Sequence, residues 1–297
     1  MTHPSPAENG LRNRPPLAAA YMVASAFLLI AMDGLVKWLA DDRGYHVTQI
    51  AFLRYFICLF MALAMAKISS GGMGSLKTRR LKGHLWRSVC NLVTMLTFYV
   101  ALMLIPLPNA VAIGLAAPIF MTILSIPMLG EKVSFGRWIA VAGGFVGILL
   151  IVRPEGGIIE WGSLSALVSA VFWAFTLVSS RQLSSSEQTH TILFYYALTV
   201  VFVLGIAMFW FWRTPPLEDA LLFIAIGIAG TFGQFCLNQA FRYGQVSMLA
   251  PLDYTGLVWA VAIGYVVWGD FPTPIMLAGS GIVVACCIYI MRSGKKE

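Results

Sequence analysis

A chain of 297 residues that is 59% hydrophobic and 11% charged, with a mean hydropathy of +0.81, has too much apolar surface to bury in a soluble domain. Its net charge of +7 fits loop topology and lipid headgroups rather than nucleic-acid binding, because the basic residues gather in the short breaks between apolar runs. Those runs are long and do not alternate, which excludes a membrane β-barrel.

About 20 residues of helix cross a hydrocarbon core of about 30 Å, and only a helix satisfies its own backbone there once a barrel is excluded. The pattern predicts an all-α integral membrane protein with ten transmembrane helices, at 17–39, 46–67, 83–105, 109–129, 135–152, 161–181, 190–211, 219–240, 246–268 and 274–291. Residues 1–16 form a polar tail without a signal-peptide cleavage pattern, so the first span is retained. Residues 292–297 form the C-terminal tail.

Lys and Arg accumulate in short cytoplasmic loops. With the N-terminus inside, Arg12, Arg14, the cluster from Lys67 to Arg87, Lys132, Arg137, Arg181, Arg242, Arg292, Lys295 and Lys296 are all cytoplasmic. Lys37, Arg43, Arg153 and Arg213 face out, and Arg54 is buried. Both termini are therefore expected in the cytoplasm.

Ionisable groups within a span are costly and tend to face a partner or a cavity. Span one carries Asp33 and span two Arg54, at matching depths. The pair reads either as an interhelical salt bridge or as part of an outer gate that docks an amine or a carboxylate. On span three, Asn91, Thr94 and Phe98 share one helical face, and on span eight Gln234, Asn238 and Phe241 likewise share one. These amides and hydroxyls are either cavity lining or interhelical glue. Mid-span Tyr99, Trp173, Tyr196, Tyr254 and Trp259 offer a stacking surface or ordinary packing. Pro118 on span four and Pro251 on span nine mark helix breaks, with Asp253 beside the second. Glu131 and Asp270 each precede a helix and read as caps. Gly143, Gly147 and Gly279 permit close helix contact, between spans five and ten or between protomers, so monomer and dimer both stand open.

The five cysteines fall within spans and the four histidines in the tail (His3) or at span ends (His46, His84 and His190), with none at ligand spacing from a cysteine, so neither a disulfide framework nor a metal site is expected. No cofactor and no phosphate-binding P-loop is recognisable. An intramembrane enzyme is disfavoured: no histidine lies mid-span, where it could activate Ser280, and Asp33 and Asp253 sit near opposite faces.

At an offset of 139 the second half lies over the first, matching Leu129-Gly130-Glu131 to Trp268-Gly269-Asp270, Arg153 to Arg292 and Ala101 to Ala240. The units, residues 17–153 and 160–291, each hold five helices. Five is odd, so the second unit enters the membrane from the other side, as in the inverted repeats of secondary transporters, whose substrate binds near the midplane.

Arg87, Asn91, Ala101-Leu102, Ala110, Ala112, Pro118, Phe120, Leu129-Gly130-Glu131, Gly143-Gly144 and Gly147 together resemble the signature of the EamA branch of the drug/metabolite transporter superfamily. Ala250-Pro251-Leu252-Asp253-Tyr254, Trp259, Gly264, Trp268-Gly269-Asp270 and Gly279 resemble it again, with Asp270 where that family more often has Glu. The resemblance implies two inverted five-helix halves in a bacterial inner membrane and movement of amino acids or other small metabolites, usually outward. The leading expectation is therefore a secondary transporter that exports amino acids or similar small metabolites by alternating access through a central cavity. The alternative is an importer or exchanger of a larger metabolite such as S-adenosylmethionine or a nucleotide-like compound.

Overall fold

Apolar segments without access to water must close their own backbone hydrogen bonds, and all the regular structure described is helical. The computed structural model describes residues 15–117, 119–120, 123–124, 135–152, 160–184, 186–243, 252 and 255–293. In chain order the helices are α1 (Pro15–Asp41), α2 (Val47–Ile68), α3 (Leu81–Leu104), α4 (Leu107–Gly114), α5 (Phe135–Val152), α6 (Trp161–Ser184), α7 (Thr189–Phe211), α8 (Leu217–Tyr243), α9 (Thr255–Trp268) and α10 (Pro274–Ser293). A short 3-10 turn, Gly72–Leu76, lies between α2 and α3. Among the described residues, α1, α2, α3, α6, α7 and α8 are long and apolar enough to cross a bilayer. Large apolar side chains such as Phe60, Phe202, Phe209 and Val266 point outward on the helices, as a lipid solvent permits.

Local chemistry sets the ends. The His46 side chain accepts from the Thr48 amide at the start of α2, and Thr273 Oγ1 accepts from the Met276 amide at the start of α10. After α9 the chain turns at Gly269, whose φ of +73° suits a residue without Cβ. The cap expected of Asp270 is thus supplied by Thr273.

Span four is not the continuous helix expected over 109–129. Helix α4 stops at Gly114, and the Ala116 amide tightens onto the Ile113 carbonyl at 3.0 Å. Pro118, expected to mark the break, lies outside the described residues. Pro251, Asp253, Tyr254 and Glu131 also lie outside the described residues.

The main packing pairs are α1 with α8, α3 with α6, α2 with α7 and α5 with α10, and a lighter contact joins α4 to α9. Secondary contacts join α2 to α8, α3 to α7, α1 to α9 and α4 to α6. Exchanging every helix for the one five places away returns the same set of pairs. Where α5 meets α10, a Cβ on Gly147 would lie 2.9 Å from the Gly279 carbonyl oxygen, so the backbones approach through glycine. That is one of the two locations left open by the sequence.

Candidate functional site

Successive helices alternate direction, so the α2–α3 and α6–α7 connections share the face where α1 begins, here the N-terminal face. The α1–α2 and α7–α8 connections share the opposite face. Polar side chains form a track between the two, along the inner surfaces of α1, α2, α3 and α7.

At the opposite face, Tyr45 donates to Asp219 Oδ2 at 2.7 Å and Arg43 stands 3.8 Å from Asp219 Oδ1. Gln49 donates to the Arg213 carbonyl at 2.5 Å and accepts from the Arg213 amide at 3.1 Å. The Arg213 guanidinium lies over the Tyr45 ring at 5.1 Å. Burial and the hydrogen bond to Asp219 push the Tyr45 phenol above its ordinary range. This network latches the α1–α2 connection to α8. Just beneath it, Lys37 donates to the carbonyls of Leu102 at 2.5 Å and Ile105 at 3.3 Å and pairs with Asp41 at 3.0 Å. Charge counting assigns Lys37 to exterior solvent, but it is only 7% exposed and caps the C-terminus of α3.

One turn deeper stand Asp33 and Arg54, 9% and 6% exposed. They act on each other electrostatically without ion-pair contact; among the described residues the ion pairs are Lys37–Asp41, Arg43–Asp219 and His84–Glu187. Arg54 Nη1 instead donates to the Tyr99 hydroxyl at 2.6 Å, and the guanidinium lies over the Tyr55 ring at 4.8 Å. Gly230 on α8 leaves the room: a Cβ there would lie 2.8 Å from Arg54 Nε.

The track continues through the hydroxyls of Tyr55 and Tyr196, which are in direct hydrogen-bond contact. Tyr196 also donates to Asn91 Oδ1 at 2.7 Å. Beside it, Arg87 donates through Nε to Ser180 at 2.6 Å and covers the Tyr196 ring at 5.4 Å. At the N-terminal face a second latch joins the α2–α3 and α6–α7 connections. Glu187 accepts from Thr78 at 2.6 Å and lies 3.8 Å from His84, Thr191 donates to the Ser75 carbonyl at 2.8 Å, and Tyr195 donates to the Leu76 carbonyl at 2.9 Å.

The remaining candidates lie beside the track. The Thr94 hydroxyl returns to the Cys90 carbonyl, while the Thr94 carbonyl accepts from Ser169, joining α3 to α6. Phe98 packs on the main core. Gln234 is buried on α8, and Asn238 Nδ2 donates to its backbone carbonyl at 2.8 Å. Trp173 packs on a small cluster of Ala18, Met22, Leu237 and Ala240. Trp259 meets Phe27 edge to face at 5.1 Å, with its indole nitrogen buried and unbonded among the described residues. Two clefts, about 270 Å³ beside Arg80, Lys82 and Trp86 and about 310 Å³ beside Met65, His190 and Phe235, open at the N-terminal rim rather than along the track.

Arg87, like Lys37, is misplaced by charge counting: it is assigned to the solvated cytoplasmic cluster, yet it is 2% exposed. Its spacing marks it, since 87, 91, 94 and 98 share one face of α3.

A match to the EamA-like transporter family covers residues 16–153 and 160–292, nearly all of the chain. The chain belongs to this family. It is a multi-pass membrane transporter of the EamA type and not an enzyme. It is similar to the S-adenosylmethionine uptake transporter of Rickettsia bellii, 27% identical over 266 residues that cover 90% of each chain. It is also similar to the pseudopaline exporter of Pseudomonas aeruginosa, 29% identical over 285 residues that cover 92% of this chain and 95% of that one. The riboflavin transporter of Vibrio cholerae is 26% identical over 290 residues, 97% of each. A solved crystal structure shares the fold with a TM-score of 0.63 at 17% identity, covering 93% of this chain and 98% of that one. The EamA-type relatives thus carry different cargoes on one scaffold, and export of amino acids in particular does not follow from membership.

Proposed function

We propose that the chain is a secondary transporter of a bacterial inner membrane that moves amino acids or similar small metabolites by alternating access. Its moving parts are two inverted five-helix halves, residues 17–153 and 160–291. The N-terminal face is the cytoplasmic one, as the charge bias expects. The observation that carries this reading is the relation between the latches. The latch at the opposite face joins the α1–α2 and α7–α8 connections, and the latch at the N-terminal face joins α6–α7 and α2–α3. Exchanging each helix for the one five later turns one latch into the other. Two equivalent latches on opposite faces, with a buried polar track between them, suit a carrier that opens one end at a time. Asp33, Arg54, Tyr99, Tyr196 and Asn91 are its solute-facing groups, and Asp253 is a further ionisable candidate for its gating.

The test is counterflow in proteoliposomes of the purified chain, with labelled amino acids outside and excess unlabelled solute inside, in both orientations. Transient accumulation that needs the internal solute supports the reading. Flux that shows no counterflow for any small metabolite rejects it. The reading with a larger metabolite is supported by the S-adenosylmethionine uptake transporters among the relatives, and labelled S-adenosylmethionine in the same vesicles decides it.

A further inference from the structure

We infer that Arg87 Nη1 and Asn91 Nδ2 form a seat for a carboxylate carried by the transported solute. Arg87 and Asn91 are 2% and 4% exposed and stand one turn apart on α3, on the same face. Each has a satisfied half: Arg87 Nε donates to Ser180, and Asn91 Oδ1 accepts from Tyr196. Each also has a buried donor without an acceptor among the described residues, Arg87 Nη1 and Asn91 Nδ2. A buried guanidinium is stable when it is paired or fully hydrogen-bonded, and a half-satisfied polar network is worse than none. Among the described residues Arg87 has neither solution. Among the described residues its electrostatic neighbours are Tyr196, Tyr55, Cys58 and His84, with no carboxylate among them. Arg54 differs, since it bonds Tyr99 and feels Asp33.

Two unspent donors, one of them permanently cationic, beside a tyrosine ring call for an acceptor that is planar and negative. A carboxylate supplies two acceptor oxygens, one for each donor, whereas a cation or an amine is repelled by the guanidinium. The seat also has a gate. His84 lies one turn before Arg87 on α3 and belongs with Glu187 to the N-terminal-face latch, so opening that latch uncovers Arg87. This inference rests on the transporter reading above and narrows its solute to molecules bearing a free carboxylate.

The test uses the full chain in lipid nanodiscs and reads thermal unfolding and Kd against the L-amino acids and S-adenosylmethionine as free acids. Each amino acid is paired with its primary amide, which lacks the charge. At least one free acid should bind, its amide should bind at least tenfold more weakly, and Arg87→Gln should lose the discrimination. Asn91→Asp keeps an acceptor for Tyr196 and puts a carboxylate into the seat itself. That variant should unfold at a higher temperature than the parent and bind the acid at least tenfold more weakly, a combination that a merely structural Asn91 does not produce. An amide that binds as tightly as its acid, retention of parental Kd in Asn91→Asp, or the absence of binding by every acid overturns the seat. Counterflow of a solute without a carboxylate sinks the seat but leaves the carrier standing, whereas absence of counterflow for every solute sinks the carrier.

Discussion

Arg54 Nη1 donates to the Tyr99 hydroxyl at 2.6 Å, so a charge on α2 is held by a phenol on α3 rather than by the nearby Asp33 carboxylate on α1. A buried cation deprived of one acceptor bears the desolvation cost of that donor. Tyr99→Phe is therefore expected to lower stability by about 1.5 to 3 kcal/mol, the scale for hydrogen bonds to charged groups. Arg54→Ala is expected to fold and to lose transport. Parental rates in a well-folded Arg54→Ala carrier would remove the Asp33 and Arg54 station from the solute path.

The two latches predict opposite shifts. Glu187→Gln weakens the N-terminal-face latch at Thr78 and His84, and Asp219→Asn weakens the other at Tyr45 and Arg43. Cys90, buried on α3 three residues beyond Arg87, is the natural reporter. Its alkylation by a maleimide should be faster in Glu187→Gln and slower or unchanged in Asp219→Asn. Equal acceleration in both would mean general loosening rather than alternating access.

Lys37 joins three helices: it caps α3 through Leu102 and Ile105, sits on α1, and lies 5.8 Å from the Trp268 ring of α9. Lys37→Met keeps the apolar stem and removes the cap. Charge near a helix C-terminus is worth about 0.3 to 2 kcal/mol, with the lost hydrogen bonds added, so the melting temperature in detergent should fall clearly below the parent's. Unchanged melting would reduce Lys37 to a bystander.

The raised Tyr45 phenol gives a pH signature at the opposite face. The folded protein favours the neutral phenol, while the unfolded chain ionises near the ordinary value of about 10. Stability from this group is thus unaffected below that pH and lost as pH rises above it. Tyr45→Phe should unfold more easily at neutral pH, because Asp219 loses its 2.7 Å donor, and should show a shallower alkaline decline. Chemical denaturation from pH 7 to 11 measures both.

At the α5–α10 crossing, any side chain on Gly147 meets the Gly279 carbonyl and Val283, each within 2.9 Å of an added Cβ. Gly147→Val should cost about 1 to 3 kcal/mol through overpacking. Gly281, with open space around its Cβ position, is the control, and Gly281→Ala should be near neutral in the same melt. A Gly147→Val carrier as stable as the Gly281→Ala one would mean that the crossing relaxes freely.

Much of this was legible in the residues. The class, the helix count and most helix ends follow from runs of apolar residues interrupted by polar breaks, because a helix in lipid is satisfied locally by its own backbone. The early end of α4 at Gly114 was not legible from the apolar run over 109–129. Asp33, Arg54 and Asn91 announced themselves as polar groups where polarity is costly. Charge counting misread Arg87 and Lys37, since it treats any basic residue near a span end as solvated, and both turn inward. Ser180 carried no mark at all; it matters only because it meets Arg87.

Composition and spacing thus determined a ten-helix membrane protein in two related halves, for each helix needs only its own run of about 20 apolar residues. Tertiary structure alone decided the partnerships: Arg54 with Tyr99 and not Asp33, Tyr55 with Tyr196 across 141 residues of chain, Glu187 with Thr78. Such contacts depend on how helices rotate and approach within the bundle. Periodicity tells which face of a helix is polar, but only packing brings two polar faces within hydrogen-bond reach.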